Sequence, residues 1–253
     1  MLLRILTAII LIAFHTGALP QSFNYLPTST TGQVIEHTHY TLSYSEAHEQ
    51  PEWVAYELTA AEVHGSYDRT NNFRQDGFIT TRSASLSDYK GSGYDRGHLA
   101  PAADMSFSQK AMSESFYLSN MSPQHPSFNR GIWRVLESLV RDWAVANGSI
   151  YVVTGGIFNG SYETIGTNNV IVPSRFYKVI LDYTEPGIKA IAFVLENQRG
   201  YKPLEEYAVT IDRVEELSGI DFFPQLPDGV EDELEGSLEL GKWSFKPSGT
   251  SYI

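Results

Sequence analysis

The spacing of apolar residues changes several times along the chain, and each change marks an element. Residues 53–60 (Trp-Val-Ala-Tyr-Glu-Leu-Thr-Ala) alternate loosely and predict an early strand. Ile150-Tyr-Val-Val-Thr154 is a short unbroken apolar run, as in a buried strand, ending at Gly155-Gly156. Two β-rich runs, Phe176 to Tyr183 and Ile188 to Leu195, flank Glu185-Pro186-Gly187 and predict a hairpin. From Gly131 to about Ala146 the spacing becomes helical, with Ile132, Leu136, Leu139, Val140 and Trp143 on one face. Glu137 and Arg141 stand four apart there and are placed to pair along the helix. Ser106 to Ser115 predicts a shorter helix. Together these elements predict an α+β fold, a mainly antiparallel central sheet with helices packed on it.

Composition supports one large domain. At 253 residues, 42% hydrophobic and 13% aromatic, the chain has material for a sizeable core, which argues against disorder. No repeat, low-complexity tract or linker divides it, so residues 19–253 read as a single domain with an acidic segment at 228–253. The N-terminus reads as an export signal over residues 1–18. A basic Met1-Leu-Leu-Arg4 precedes the uncharged run Ile5 to Phe14, and Thr16-Gly17-Ala18 offers small residues for cleavage. The apolar run is too short for a comfortable membrane span, and a mitochondrial presequence would be richer in Arg and Ser. The expected location is therefore secreted or periplasmic, with no stable membrane association after cleavage.

The absence of cysteine excludes disulfides, thiol catalysis and sulfur-ligated metal, so any essential metal must be held by oxygen or nitrogen. A formal charge of −12 sits awkwardly with a polyanionic ligand. The charge is unevenly distributed, however. Asp228, Glu231, Asp232, Glu233, Glu235 and Glu239 crowd the C-terminal segment, which reads as a solvated face. Residues 66–142 hold Arg69, Arg74, Arg82, Lys90, Arg96, Lys110, Arg130, Arg134 and Arg141.

That basic region carries the candidate chemistry. Tyr94-Asp95-Arg96-Gly97-His98-Leu99-Ala100-Pro101 sets a histidine beside a carboxylate and a guanidinium. Histidine is suited to take a proton near neutral pH, and arginine offers a fork of donors for phosphate. Asn120-Met121-Ser122-Pro123-Gln124 and Phe128-Asn129-Arg130-Gly131-Ile132-Trp133, running on to Glu137, follow in order. These three segments resemble the DNA/RNA non-specific endonucleases of the ββα-metal superfamily, and most nearly the endonuclease G branch. Asp88 to Leu99, Ser108 to Met112 and Phe116 to Asn120 match that branch almost residue for residue. The likeness extends from about Trp53 to about Leu226.

The resemblance implies a ββα-metal finger and a hydrolytic mechanism. His98 becomes the general base and Asn129 the direct ligand of a hydrated Mg²⁺, with Mn²⁺ as a substitute ion. Glu137 binds ion-coordinating water. Arg69 and Arg141 stabilise phosphate charge, with Arg74 as the competitor to Arg69. Asn120 and Gln124 organise the site, while Asp95 and Arg96 shape the loop carrying His98. The implied activity is phosphodiester hydrolysis of DNA and RNA with little sequence preference, leaving 5′-phosphate ends. The alternatives are a phosphodiesterase for small nucleotides on the same scaffold and a degenerate nucleic-acid-binding domain. Family members are often homodimers, although no interface is legible in this chain.

Other patterns carry less. His37-Thr38-His39 could present two ligands from alternate strand positions but has no matching carboxylate nearby. Gly91 to Gly97 imitates a dinucleotide loop with glycine spacing one residue too long. His125 matches no fixed family position. Asn120-Met-Ser, Asn147-Gly-Ser and Asn159-Gly-Ser are formal glycosylation sequons, the first incompatible with the implied site.

Overall fold

A computed structural model describes residues 23–29, 32–158, 160, 163–184 and 187–248. The expected export signal lies outside these residues, as do Asn159 and the Glu185-Pro186 pair. The strands are β1 (Gln33–Glu36), β2 (Thr41–Ser45), β3 (Gln50–Thr59), β4 (Asp95–His98), β5 (Met121–Gln124) and β6 (Ser149–Ile157). They continue with β7 (Thr164–Ile165), β8 (Val170–Ile171), β9 (Arg175–Asp182), β10 (Lys189–Glu196) and β11 (Ala208–Val209). The α-helices are α1 (Leu86–Tyr89), α2 (Gln109–Glu114), α3 (Arg134–Asn147), α4 (Ile211–Ser218) and α5 (Asp228–Gly236).

Seven strands form an antiparallel sheet in the order β1-β2-β3-β6-β9-β10-β11. Successive side chains of a strand point to opposite faces, and here both faces are covered. One face sets Leu42, Val54, Tyr56, Ile150, Val152, Ile180 and Phe193 against Leu136, Leu139, Val140 and Trp143 of α3. The other sets Trp53, Ala55, Val153, Tyr177, Val179 and Ala192 against Ile211 and Val214 of α4, with Phe222 and Leu226 after it. Double coverage explains why β6 and β9 read as continuous apolar runs rather than clean alternation. The expected α+β architecture is the one observed.

Three boundaries differ from the sequence pattern. Gly155-Gly156 does not end β6, which continues to Ile157. A Cβ at Gly155 would overlap the Glu52 carbonyl and the Tyr177 ring, so these glycines admit close packing inside the sheet rather than a turn. The long helix starts at Arg134, not Gly131. Phe128–Trp133 forms a wide π-type segment ahead of it, broken at Gly131 with φ −105° and ψ −116°. The third difference concerns His98, which ends strand β4 instead of lying in a loop. β4 pairs antiparallel with β5, in the register Asp95 with Gln124 and His98 with Met121. A Cβ at Gly97 would overlap the buried Gln124 side chain, and only glycine lets the two strands close.

The acidic segment is more than a solvated face. Leu234 and Trp243 are buried, and the Trp143 indole donates to the Ser244 carbonyl at 2.7 Å while its ring meets Trp243 at 5.0 Å. Among the described residues no helix is long and apolar enough to cross a membrane.

Candidate active site

Strand β4, the chain just after it, the π-type segment and α3 wall a cavity of about 520 Å³. His98, Asn129, Glu137, Arg69, Arg96 and Arg141 all line it, joined by Tyr67, Arg130 and Arg134. Segments up to 74 residues apart in sequence thus meet at one place. The lining carries five arginines against one carboxylate, in a chain of net charge −12. The positive charge is therefore concentrated where a phosphate would enter.

His98 is buried, and its Nε2 has no hydrogen-bond partner. Phe116 meets the imidazole edge-on at 4.9 Å and 86°, and Phe73 lies at 5.8 Å. Burial, with Arg69 and Arg96 alongside, pushes the imidazole down to about 3. The ring is thus neutral at any physiological pH, as a proton acceptor must be.

Asn129 donates Nδ2 to Asp95 Oδ2 at 2.9 Å. A carboxylate can only accept, so this bond fixes which end of the amide is which and leaves the carbonyl oxygen uncommitted. Arg130 holds the same carboxylate with Nε at 2.8 Å and Nη2 at 2.5 Å. Burial opposes ionisation of Asp95, but the bonds from Arg130 and Asn129 outweigh it and keep the carboxyl below its usual range. Asp95 is an orienting anchor for Asn129, not part of a loop as the sequence suggested.

Glu137 faces the cavity from the first turn of α3. Burial raises its carboxyl above the ordinary range, an effect opposed by the charges of Lys178 and Arg141. The charges of Glu137 and Arg141 act on each other along the helix as expected, within a larger buried arrangement. Arg141 donates Nη1 to Asp104 Oδ1 at 2.7 Å and Nη2 to Ser138 at 3.2 Å, and Tyr56 donates to the other Asp104 oxygen at 2.7 Å. Lys178, fully buried in β9, donates to Thr154 Oγ1 at 2.6 Å and lies over the Trp133 ring. Desolvation lowers its ammonium while Glu137 and Asp104 support it.

The arginines divide by position. Arg69 reaches the cavity with its guanidinium 4.8 Å over Phe116. Arg74 instead stacks on Tyr117 at 3.9 Å, donates to the Ser113 carbonyl and lines a neighbouring depression. Arg96 lies 4.0 Å over Phe73 and lines the cavity. Asn120 is fully buried; its Oδ1 accepts from Ala100 N, and its Nδ2 donates to the carbonyls of Ala100 and Ser115. It ties down the chain leaving His98 and offers nothing for a glycan. Gln124 packs beneath Gly97.

Sequence reasoning missed Asp104, Lys178, Arg134 and Tyr67. A lysine inside the apolar run Phe176 to Leu181 was the one signal available, since an unpaired cation is not buried without a partner. The His37-His39 pair is not a ligand pair. His37 bonds Asp76 at 2.9 Å, whereas His39 lies edge-on to Phe107. His125 starts the turn into the π-type segment, its carbonyl accepting from Phe128 and Asn129.

Comparison with known proteins identifies the family. Residues 22–229 match the family described as DNA/RNA non-specific endonuclease. The chain is 39% identical over 228 residues to human "Nuclease EXOG, mitochondrial", covering 83% of this chain and 61% of that protein. It is 37% identical over 202 residues to human "Endonuclease G, mitochondrial", covering 74% and 68%. A solved EndoG/EndoGI complex, titled for the mechanism of EndoG inhibition, superposes with a TM-score of 0.73 at 37% identity. The match covers 77% of this chain and 87% of that one. The chain spans about three fifths of the length of the EXOG relatives, at 61% and 60%. Relatives named as mitochondrial overturn the secreted or periplasmic location. The reason is physical: a short uncharged N-terminal run supplies hydrophobicity without specifying which membrane machinery reads it.

Proposed function

This chain belongs to the DNA/RNA non-specific endonuclease family, and from that premise we propose that it hydrolyses phosphodiester bonds of DNA and RNA with a divalent ion. The observation carrying this reading is one cavity that joins a neutral, buried His98 to an uncommitted Asn129 carbonyl within a wall of arginines. The donor set fits a hard ion such as Mg²⁺, which takes oxygen ligands and keeps several waters beside one or two protein groups. Asn129 Oδ1 would hold it directly and Glu137 through water, and when bound it would neutralise charge on the phosphate.

The residues of the chain supply the rest. Arg69 and Arg96 draw the phosphodiester to the cavity mouth, and Arg141 adds positive charge from the floor. His98 takes a proton from the attacking water at the imidazole nitrogen facing the cavity. The new P–O bond forms as the bond to the 3′ oxygen breaks, and that oxygen leaves as a hydroxyl after taking a proton from a solvent water, while His98 later returns its proton to solvent. The products are a 3′-hydroxyl and a 5′-phosphate. The bound phosphate offsets the field of Arg69 and Arg96, so His98 becomes a stronger base once substrate is in place. Recognition through the backbone leaves little dependence on sequence. Asn120 and Gln124 hold the two strands of the hairpin in register. Residues 19–253 act as one domain in this reading, and the relatives favour a mitochondrial setting.

A plasmid-nicking assay with and without EDTA, run beside a small nucleotide-diester assay, tests the proposal. Nicking that needs metal and drops by roughly two to four orders of magnitude in His98→Ala supports it. Diester cleavage without nicking would transfer the site to a nucleotide phosphodiesterase. Metal-dependent nicking that survives in pure His98→Ala protein would remove His98 from the mechanism.

A further inference from the structure

Five carboxylates gather on the C-terminal part of the chain, apart from the residues lining the His98 cavity. Asp212 and Glu215 of α4 bring oxygens within 4.8 Å of each other and of Glu235 in α5. Asp221, in the connection between the helices, and Glu231 do the same, again with Glu235. Glu235 is the shared member of both triads. It is only 8% exposed, and its Oε1 is buried with no hydrogen-bond partner.

A buried carboxylate without a donor is costly, and surrounding it with four more makes the cost larger. The cations adjacent in sequence do not relieve it: Arg213 pairs with Glu216 and Lys242 with Glu239. Glu215 accepts from the Phe222 amide at 2.8 Å through Oε1, which leaves its second oxygen for another partner. Burial, followed by the charges of Glu215 and Glu231, raises the Glu235 carboxyl to about 8. The cluster has the form of a site built for a positive charge that the described residues do not supply.

We propose that Asp212, Glu215, Asp221, Glu231 and Glu235 form a calcium site that clamps α5 to α4. All the donors are carboxylate oxygens, which suits a hard cation and disfavours zinc or copper. Several protein carboxylates around one ion suit Ca²⁺, which takes about six to eight oxygens, better than Mg²⁺, which keeps most of its waters, and the half-buried and exposed side chains can adjust to its loose geometry. Glu231 and Glu235 lie past residue 229, where the match to the endonuclease family stops, and the proposed clamp does not depend on the nuclease reading.

The test is thermal unfolding and calorimetric titration of the full chain with CaCl₂, after chelation and in excess Mg²⁺. At about 100-fold excess over Kd, Ca²⁺ should raise Tm by about 5–10 °C. Glu235→Gln should abolish that rise and weaken Ca²⁺ binding at least about tenfold, while leaving Tm in chelator little changed at neutral pH, where a carboxyl raised to about 8 is already protonated. Asn129→Ala should keep the Ca²⁺ response, since the cavity ion is separate. Should Glu235→Gln fail to fold, the exposed pair Asp212→Asn with Asp221→Asn serves in its place and should weaken the response. No Tm shift at millimolar Ca²⁺, or equal shifts in wild type and these variants, would overturn the proposal. Loss of the response in Asn129→Ala would overturn it as well.

Discussion

Asp95 accepts the Asn129 side-chain amide at 2.9 Å across the gap between strand β4 and the π-type segment that precedes α3. The bond links the first and last of the sequence motifs and commits the Asn129 amide nitrogen, leaving the carbonyl oxygen for another partner. Arg130 clamps the same carboxylate, so the orientation rests on a charge-assisted pair and not on one hydrogen bond.

Asp95→Ala should accordingly behave as a weaker Asn129→Ala. With the amide free to rotate, the metal requirement should rise about 10–100-fold, the usual cost of losing a group that orients a ligand. Asn129→Ala should be worse, because it removes the oxygen itself. Metal titrations of cleavage rate in the two variants check the order. Equal metal dependence in Asp95→Ala and wild type would show that the bond orients nothing of consequence.

His98 should leave a signature in acid stability. Its pKa is about 3 when folded and 6.5 when unexposed to the fold, so the unfolded chain takes the proton first. A depressed folded pKa contributes stability that is full above pH 6.5 and is lost as pH falls from there toward about 3. His98→Asn should flatten the stability curve in that window. Tm measured across a pH series for both proteins decides it, and superimposable acid limbs would contradict a neutral buried imidazole.

Arg69 and Arg74, inseparable in the sequence, should now differ. Arg69→Ala should lower cleavage of DNA and RNA together, because phosphate contacts carry no base information. Arg74→Ala should cost less, its guanidinium being engaged with Tyr117 and Ser113 outside the cavity. Activity should fall with salt on a shallow slope, given few phosphate contacts. The check is rate on matched DNA and RNA over a salt series; loss of one substrate alone would refute backbone recognition.

Arg141→Met should act on stability as well as rate. It strands Asp104, which is fully buried, with only Tyr56 for a donor. Removing one partner of a buried pair costs about 3–5 kcal/mol. Urea unfolding of Arg141→Met and of the double variant Arg141→Met/Asp104→Asn measures this. The double variant should recover part of the loss, and no recovery would mean that the pair is not what holds Asp104.

The sequence by itself determined the local order: the long amphipathic helix, the 176–195 hairpin, the apolar β6 run and the motifs holding His98, Asn129 and Glu137. These follow from spacing and residue type, which act over a few neighbours. It also misled where local pattern was ambiguous. Gly155-Gly156 read as a stop because glycine favours turns, yet the crowding that demands glycine there comes from Glu52 and Tyr177, distant in sequence. Glu137 and Arg141 stood at pairing distance on a helix, but the pattern gave no sign of the buried Asp104 on another segment that binds the guanidinium in a low-dielectric interior. Only the tertiary structure could bring Asp95 to Asn129, separate Arg69 from Arg74, or place Lys178 under Trp133. Each depends on which faces of distant segments meet, and the packing of the whole core decides that.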